Sequence, residues 1–473
     1  MKRLAFAATA LATGALLTGC GHLSPGRAAR VSTGYVSHQM CSAVFVAGRD
    51  PVRYYRDAIE PLVGPLGALT AHTVDRDRRE VRATLAGLAE SRAIYRPPFG
   101  CVNATGAMAS SDAPPRASAD LADAPAAPAL LADIAGPAEV QTTDPALRAA
   151  LDRAFEETAA PPHRHTEAVV VVHRDRIVAE RYAADVGLDT PLTGWSATKS
   201  VTNALIGILV RQGRLALDAP APVAAWAGAN DPRHAITVDQ LMRMNSGLDM
   251  GQSLTANVAT AFDPTAQMIF VEADSAAVAE RAPLAHAPGT FWNYSNANTQ
   301  LLSRIVRESA GGSAEATRAF AHRELFDKLG MRHVTFEFDA AGTPIGASHL
   351  WAPARDWARF GLLYLHDGVV GGQRILPAGW SDRSAALTPG SETYGYGAGF
   401  WTNRGGGAGA DYRIAAGMPA DAFMARGSHG QYVVIVPSHD LVIVRFGPAW
   451  TERDDMATLS RFTREVIEAL PPR

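Results

Sequence analysis

Two hydrophobic periods divide most of the chain into strands and helices. Short β-branched runs, which predict strands, occupy residues 167–173, 177–182, 422–426, 431–436 and 441–446. The polar tripeptide Arg174-Asp175-Arg176 separates the first two runs and predicts a hairpin. Helical patterns occupy residues 145–158, 196–212 and 454–470, and residues 236–390 are largely helical with long loops.

The order of these elements predicts a fold class. Strands lie near both ends of residues 145–473, and the helical block lies between them. This order predicts an α+β fold, with one antiparallel sheet built from both termini of the domain and flanked by helices. The mostly helical block is then inserted as a second lobe. Clefts between lobes commonly hold functional sites, so we expect one there.

The N-terminus predicts export. A basic start is followed by an apolar run over residues 4–17, which is too short to span a bilayer. Leu17-Thr18-Gly19-Cys20 then resembles a bacterial lipoprotein signal, which makes residues 1–19 a signal peptide and Cys20 the lipidated first residue. An ordinary secretory signal is the alternative. We expect a lipid-anchored envelope protein facing the periplasm, and Gly21 after the cysteine indicates the outer membrane of a two-membrane bacterium.

Residues 20–106 form a small N-terminal segment with Cys41 and Cys101 near its ends. Export places both cysteines in an oxidising compartment, so we predict a Cys41–Cys101 disulfide. Residues 21–33 are interpreted as a tether, residues 40–46 as a strand or short helix, and residues 80–88 as a helix. The segment either packs against the main domain or holds it off the membrane. Residues 107–144 are rich in Ala and Pro and predict a linker or an extended strap.

Composition narrows the possible functions. The 473-residue chain has a formal net charge of −3, which gives no reason to expect a nucleic acid partner. It contains no Walker or Rossmann glycine pattern, no H-E-x-x-H and no C-x-x-C, so we expect no cofactor and no metal. His163 and His165 are possible metal ligands, but two histidines in a polar turn are usually exposed. The oligomeric state stays open.

The tetrapeptide Ser196-x-x-Lys199 carries the strongest chemical signal. At this spacing on a helix both side chains lie on one face, within reach of each other. A serine hydroxyl becomes a good nucleophile when a neighbour takes its proton, and a buried lysine with a lowered pKa does this. Of the 44 Lys and Arg residues, only Lys2, Lys199 and Lys328 are lysine. Because Arg cannot be deprotonated in a protein, the lysine at position 199 favours a proton acceptor there.

A second motif, Tyr294-Ser295-Asn296, follows Pro288-Gly289 and precedes a predicted helix that begins near Asn298. A tyrosine hydroxyl beside a lysine can act as base in acylation and as acid toward the leaving group. Asn296 is placed to bind a substrate amide and to anchor the lysine. A buried aromatic loop with a structural tyrosine is the alternative. Asp263 is interpreted as a turn residue rather than a contact for a substrate amine.

Together these motifs identify a resemblance. The chain resembles the serine β-lactamase and penicillin-binding-protein superfamily, in its class C-like branch of esterases, DD-peptidases and amidohydrolases, over roughly residues 145–470. Within that branch it is similar to the 6-aminohexanoate-dimer hydrolase-like subgroup, which shares the His-Gly-Gln found here at residues 429–431. The resemblance implies that Ser196 is the nucleophile, that Lys199 and Tyr294 form the proton-transfer pair, and that Asn296 contacts substrate.

The third motif of the resemblance is missing. The β-lactamases carry Lys-Thr/Ser-Gly on the strand that lines the site, and this chain has no such triplet. One register places residues 422–425 as the lining strand and Ser428-His429-Gly430 as a hairpin turn, because Gly427 and Gly430 mark a turn. The oxyanion hole is then formed by the backbone N–H groups of Ser196 and Ala425. The other register makes His429 the substitute for the lysine.

The sequence therefore predicts an exported serine hydrolase that cleaves a small-molecule or short-peptide amide or ester through an acyl-enzyme on Ser196. A DD-peptidase or weak β-lactamase is the first alternative. The missing lysine reduces the expectation of β-lactam hydrolysis, because that residue binds the β-lactam carboxylate. The second alternative is a non-catalytic lipoprotein that binds cell-envelope peptides or peptidoglycan, in which Lys199 and Tyr294 have no chemical task.

Overall fold

The computed structural model describes residues 24–87, 89–108, 128–228, 230–254 and 257–471. The leader with Cys20, and residues 109–127 of the linker, lie outside this part of the chain. Among the described helices, none combines the length and the apolar character that crossing a membrane requires.

The N-terminal segment is a helix packed across a four-stranded antiparallel sheet, in the strand order β1-β2-β3-β4. The long first helix packs on β2 and β3, and its buried face continues to the main domain. Its helices and strands are α1 Pro25–Phe45, α2 Pro51–Tyr54, α3 Glu60–Val63, β1 Thr70–Asp75, β2 Glu80–Leu85, β3 Ala89–Tyr95 and β4 Cys101–Asn103.

Two sequence predictions for this segment are wrong. The expected tether at residues 21–33 is helical from Pro25 onward, and residues 80–88, expected as a helix, contain strand β2. In β2 the apolar side chains Val81, Ala83 and Leu85 are all buried and recur every second residue, which is the period of a strand. The residues of this stretch also have high helix propensity, which favoured a helix in the sequence interpretation. Pairing with β1 and β3 stabilises the strand instead.

The predicted disulfide is present. Cys41 and Cys101 are bonded with an S–S distance of 1.93 Å, and both cysteines are fully buried. The bond joins the C-terminal part of α1 to the first residue of β4. It therefore fixes the long helix to its own sheet.

The main domain is built on a six-stranded antiparallel sheet with the order β12-β13-β14-β15-β5-β6. This sheet joins strands from both ends of the domain, as the sequence predicts. The strands of the main domain are β5 Ala168–His173, β6 Arg176–Tyr182, β7 Leu192–Thr193, β8 Thr335–Phe336, β9 Leu350–Ala352, β10 Val369–Val370, β11 Gln373–Arg374, β12 Trp401–Thr402, β13 Phe423–Gly427, β14 Gln431–Val436 and β15 Leu441–Phe446.

Helices cover both faces of this sheet, because its central strands are apolar on both sides. In β5, Val170 and Val172 belong to the core shared with α12, and Val169 and Val171 belong to the core shared with α4 and α15. The helices of the main domain are α4 Pro145–Phe155, α5 Thr198–Arg211, α6 Val238–Met242, α7 Pro264–Phe270, α8 Ser275–Glu280, α9 Asn296–Ala310, α10 Ala314–Ala321, α11 Asp327–Leu329, α12 Ala354–Leu365, α13 Trp380–Ala385, α14 Ala408–Ala415 and α15 Met456–Ala469.

A buried carboxylate connects the N-terminal segment to the main domain. Glu337 of the main domain is fully buried and accepts from Ser42 Oγ and the Cys101 backbone N–H, each at 2.7 Å. It also contacts His38 Nε2 at 3.0 Å and accepts from Trp351 Nε1 at 3.2 Å. Because a buried carboxylate needs such partners, the contacts fix the position of α1 and β4 on the main domain.

Candidate active site

Ser196 lies in a single 3-10 turn, Trp195–Ala197, that leads directly into α5. Trp195 has a φ of 44°, in the left-handed region that bulky residues rarely adopt. The turn is held from several sides: Gly194 N–H donates to the Leu350 carbonyl at 2.8 Å, and the Tyr35 ring stacks on the Trp195 ring at 6.0 Å. The backbone before Ser196 is therefore fixed by both the main domain and the N-terminal segment.

Lys199 is the second residue of α5 and lies one turn after Ser196. Its Nζ is 3.0 Å from Ser196 Oγ, 2.6 Å from Asn296 Oδ1 and 2.8 Å from the Ala347 carbonyl oxygen. A neutral amine has two N–H donors and one lone pair. With its N–H groups directed to Asn296 and Ala347, the lone pair of a neutral Lys199 faces the Ser196 hydroxyl.

Burial makes the neutral form of Lys199 accessible. The residue is 3% exposed, and desolvation lowers the pKa of its amine to about 7. The oxygens that surround Nζ belong to neutral groups, so no carboxylate counteracts the desolvation. Near neutral pH a large fraction of Lys199 can therefore accept a proton.

Tyr294 borders the same cavity as Ser196, and burial shifts its pKa in the direction opposite to that of Lys199. Burial raises the pKa of Tyr294 to about 12, although a hydrogen bond with the Ser196 side chain and the positive charge of Arg426 oppose the change. Lys199 Nζ lies 5.0 Å from the centroid of the Tyr294 ring. Tyr294 is thus a protonated hydroxyl at neutral pH, suited to donate a proton.

Asn296 is the first residue of α9, whose N-cap is Ser295. Its amide oxygen accepts from Lys199, so the predicted anchoring contact is present in the structure. The motifs Ser196-x-x-Lys199 and Tyr294-Ser295-Asn296 are thereby brought together around the Ser196 hydroxyl, as the sequence predicts.

The end of β13 forms the opposite wall of the site. A Cβ atom on Gly427 would lie 2.1 Å from the Gly194 carbonyl oxygen, so only glycine permits this approach to the Ser196 turn. Ser428 and His429 follow in the turn to β14, and both line the cavities that Ser196 lines. The predicted turn Ser428-His429-Gly430 is therefore present, with His429 at a φ of 58°.

The structure does not bring Ala425 to the site. Ala425 is fully buried within β13, paired with Val433, and lies outside the lining of both cavities at Ser196. The strand ends at the buried Gly427, one residue beyond the predicted run 422–426, and the next backbone N–H is that of Ser428. His429 is 7% exposed, its ring lies 4.2 Å from that of Trp450, and burial lowers its pKa.

Two cavities meet at Ser196. A larger one of about 760 Å³ is bordered by Tyr294, Trp401, Arg426 and Asp454 among others. A smaller one of about 100 Å³ is bordered by Tyr35 and Leu62 of the N-terminal segment and by α7. Arg426 faces the larger cavity with its guanidinium 4.8 Å from the Trp401 ring and donates to Asp454 at 3.0 Å.

The remaining candidates have structural partners. Asp263 is the N-cap of α7, where its carboxylate accepts from the Thr265 N–H at 2.7 Å, although it also borders the smaller cavity. His163 and His165 lie side by side, with ring centroids 5.2 Å apart, next to Glu157 rather than in the cleft.

Comparison with known proteins assigns the family. The family model described as Beta-lactamase matches residues 151–466, which include the serine, lysine and tyrosine of the site. The chain belongs to the beta-lactamase family. It is thus a serine hydrolase by descent, with the fold that the family shares.

Individual relatives of this beta-lactamase family member agree with the assignment. A 6-aminohexanoate-dimer hydrolase of Paenarthrobacter ureafaciens is 26% identical over 319 residues, which cover 64% of this chain and 76% of that protein. A Bacillus anthracis structure proposed to be a 6-aminohexanoate-dimer hydrolase has a TM-score of 0.54 and 24% identity, over 65% of this chain and 81% of that one. EstCE1, a hydrolase with promiscuous acyltransferase activity, has a TM-score of 0.51 and 15% identity, over 68% and 97% of the two chains. These structural likenesses show the fold.

Sequence reasoning missed several residues that border the site. Tyr35 and Leu62 come from the N-terminal segment, outside the matched residues 151–466, and no motif marks them. The Ala347 carbonyl is a backbone group and leaves no signal in the sequence. The sequence marks Ser428 only as a turn residue, and the glycines at 427 and 430 that flank Ser428-His429 are the available signal for a strand end at the site.

Proposed function

We propose that the protein is an exported serine hydrolase that cleaves an amide or ester bond through an acyl-enzyme on Ser196. The observation that carries this proposal is the 3.0 Å approach of Lys199 Nζ to Ser196 Oγ where burial lowers the lysine pKa to about 7. A nucleophile beside a base that is neutral at working pH is the requirement for acyl transfer by serine.

In the acylation step, Ser196 Oγ attacks the carbonyl carbon while its proton moves to Lys199 Nζ. The backbone N–H groups of Ser196 and Ser428 are the proposed donors to the oxyanion, since both residues border the space where the carbonyl oxygen would lie. Tyr294 donates its proton to the leaving group as the bond to the carbonyl carbon breaks. Proton transfer from Lys199 to Tyr294 then restores both groups, and water releases the acyl group.

Export as a lipoprotein through Cys20 is part of the proposal. The leader sequence supports it, as does the Cys41–Cys101 disulfide, because such bonds persist in oxidising compartments. Detection of the mature chain in the membrane fraction, and its loss from that fraction in Cys20→Ser, tests this part.

β-Lactam or DD-peptide hydrolysis is the second candidate function. Family membership favours it, and Arg426 supplies a cation in the larger cavity. The guanidinium of Arg426 already donates to Asp454, so its charge is partly neutralised before substrate binds. We therefore place linear amides and esters first.

A substrate panel tests the proposal. Purified wild-type protein and Ser196→Ala are compared on p-nitrophenyl esters, anilides, the linear 6-aminohexanoate dimer, a D-Ala-D-Ala peptide and a chromogenic cephalosporin. We expect turnover of esters or linear amides by the wild type alone. Equal rates for the two proteins on every compound would refute the hydrolase, and muropeptide binding without turnover would favour the non-catalytic alternative.

A further inference from the structure

The two cavities at Ser196 have different walls. The larger is lined by residues of the main domain, from the loops around Leu254, Tyr394 and Asp454. The smaller is bordered on one side by Tyr35 and Leu62, which belong to the N-terminal segment. One wall of the catalytic cleft thus lies outside the part of the chain that the beta-lactamase family model matches.

The N-terminal wall is held firmly against the catalytic turn. The Tyr35 ring stacks on Trp195 at 6.0 Å and meets the Phe270 ring edge-on at 5.6 Å. Next to Tyr35, a Cβ on Gly34 would lie 2.6 Å from the Phe270 carbonyl oxygen, so α1 approaches the end of α7 as closely as glycine allows. Asn103 Nδ2 donates to the same carbonyl at 2.9 Å. These contacts leave little freedom for Tyr35 to move away from the cavity.

The chemical character of the small cavity is mainly apolar. Its hydrophobic lining comes from Tyr35, Leu62, Trp195, Ala266, Ile269 and Phe270. The carboxylate of Asp263 also borders it, but Oδ1 accepts from both the N–H and the hydroxyl of Thr265, at 2.7 and 2.5 Å. Burial raises the pKa of this carboxyl group as well.

The position of Tyr294 orients a substrate between the two cavities. Tyr294 borders the larger cavity, and Asn296 borders the smaller one. If Tyr294 is the acid for the leaving group, the leaving group departs through the larger cavity. The acyl group then lies on the other side of Ser196, in the smaller one.

We propose that the smaller cavity is an acyl-binding pocket closed by the N-terminal segment, and that it selects short, uncharged, apolar acyl groups. The assignment rests on the proposed function. A volume of about 100 Å³ holds roughly three or four groups the size of a water molecule or a methylene. Tyr35 and Leu62 are the residues of the N-terminal segment that set this limit.

A series of p-nitrophenyl esters keeps the leaving group constant and varies only the length of the acyl chain, so it tests the acyl pocket alone. We expect kcat/KM of the wild type to be highest for acetate or butyrate and to fall by about tenfold or more at octanoate, in line with the cost of misfit methylenes. Leu62→Ala should raise the octanoate-to-butyrate ratio of kcat/KM by about tenfold. Tyr35→Ala should act in the same direction, and Ala266→Leu, which adds carbon atoms to the pocket, should lower the butyrate-to-acetate ratio.

Leu69→Ala is the matched control, because Leu69 belongs to the same segment but is 53% exposed and lies outside the pocket lining. This variant should keep the wild-type acyl profile. Unfolding temperatures identify any variant that fails to fold, and Leu62→Ala keeps the test decisive if Tyr35→Ala is lost.

The possible outcomes distinguish a failure of the pocket assignment from a failure of the proposed function. Ser196-dependent hydrolysis with an acyl profile that Leu62→Ala and Ala266→Leu leave unchanged would overturn the pocket alone. A preference for 6-aminohexanoate over hexanoate esters would also overturn it, because it would assign the Asp263 carboxylate to an ammonium group. Absence of Ser196-dependent hydrolysis on every ester and every amide of the panel would overturn the proposed function and the pocket with it.

Discussion

At the scale of single residues, the Ser196 hydroxyl lies between two groups with very different pKa values, the amine of Lys199 and the phenol of Tyr294. Desolvation acts on Lys199 and Tyr294 in the same physical way but with opposite results, because it disfavours an ammonium in one and a phenolate in the other. At neutral pH the lysine can be neutral while the tyrosine stays protonated. This arrangement supports the proposed roles of Lys199 as base and Tyr294 as acid.

The pH dependence of kcat/KM tests the assignment of the base. Protonated Lys199 has no lone pair for Ser196, so kcat/KM should fall about tenfold per pH unit below the lysine pKa of about 7. Above that pH the rate should reach a plateau, because Tyr294 keeps its proton up to about 12. Lys199→Arg should abolish the activity, since Arg cannot accept the proton. If Lys199→Met stays active and its kcat/KM still falls below pH 7, Lys199 is not the base.

Tyr294→Phe tests the acid. Loss of the hydroxyl should lower kcat/KM for an anilide by about 10²–10³-fold, because the amine leaving group needs a proton. The effect on a p-nitrophenyl ester should be smaller, since p-nitrophenolate departs without one. Tyr396→Phe is the control: its buried ring lies 5.4 Å from that of Tyr294, but it borders neither cavity. Equal losses on anilide and ester would contradict the role.

At the scale of elements, the site depends on where β13 ends. The strand meets the turn before α5 at Gly427, where backbone touches backbone. Register within the sheet is fixed by the buried pairs Phe423 with Ile435 and Ala425 with Val433. The sheet therefore determines which backbone N–H group lies at the site, and Ser428 follows from the strand end rather than from any motif.

Gly427→Ala tests this element contact. The added Cβ would meet the Gly194 carbonyl oxygen at 2.1 Å, so β13 must move away from Ser196 and the Ser428 N–H with it. We expect kcat to fall by about 10²-fold or more, as for the loss of one oxyanion donor. Gly136→Ala is the control, because its Cβ would meet no atom within 4 Å. Wild-type kcat in a folded Gly427→Ala would contradict the proposed oxyanion hole.

At the scale of the whole molecule, the N-terminal segment packs against the main domain and borders the candidate active site. It contacts the main domain through the buried Glu337 cluster and through Arg49, which donates to Glu167 at 2.6 Å and Asp185 at 3.0 Å. The same segment places Tyr35 on the turn that carries Ser196. Of the two roles that the sequence left open for this segment, packing against the main domain is the one observed.

Glu337→Gln tests the connection between the two parts. The substitution replaces one of the two acceptor oxygens with an NH₂ donor. In one orientation this donor faces Ser42 Oγ and the Cys101 N–H, and in the other it faces His38 and Trp351. We expect the free energy of unfolding in urea to fall by about 1–3 kcal/mol, because a buried donor is left without an acceptor. The exposed Glu452→Gln should change it by about 0.5 kcal/mol or less. Equal stability of both variants would contradict a connecting role for Glu337.

The sequence predicts the main domain better than the N-terminal segment, for a physical reason. Strands such as β5 are β-branched and buried on both faces, and motif spacing on α5 brings Ser196 and Lys199 together, so local pattern and tertiary structure agree. Residues 80–88 combine good helix formers with a strand period, and strand pairing overrides propensity there. Tyr35 reaches the site only through tertiary packing, which leaves no local signal.

Covalent labelling tests whether Ser196 is the nucleophile. The wild-type chain is incubated at neutral pH with an active-site-directed phosphonate, and the adduct is located by mass spectrometry of the intact protein and its peptides. We expect one adduct per chain, on the peptide that contains Ser196, and none in a Ser196→Ala variant with the same unfolding temperature. Labelling of another residue, or equal labelling of the two proteins, would contradict the proposed nucleophile.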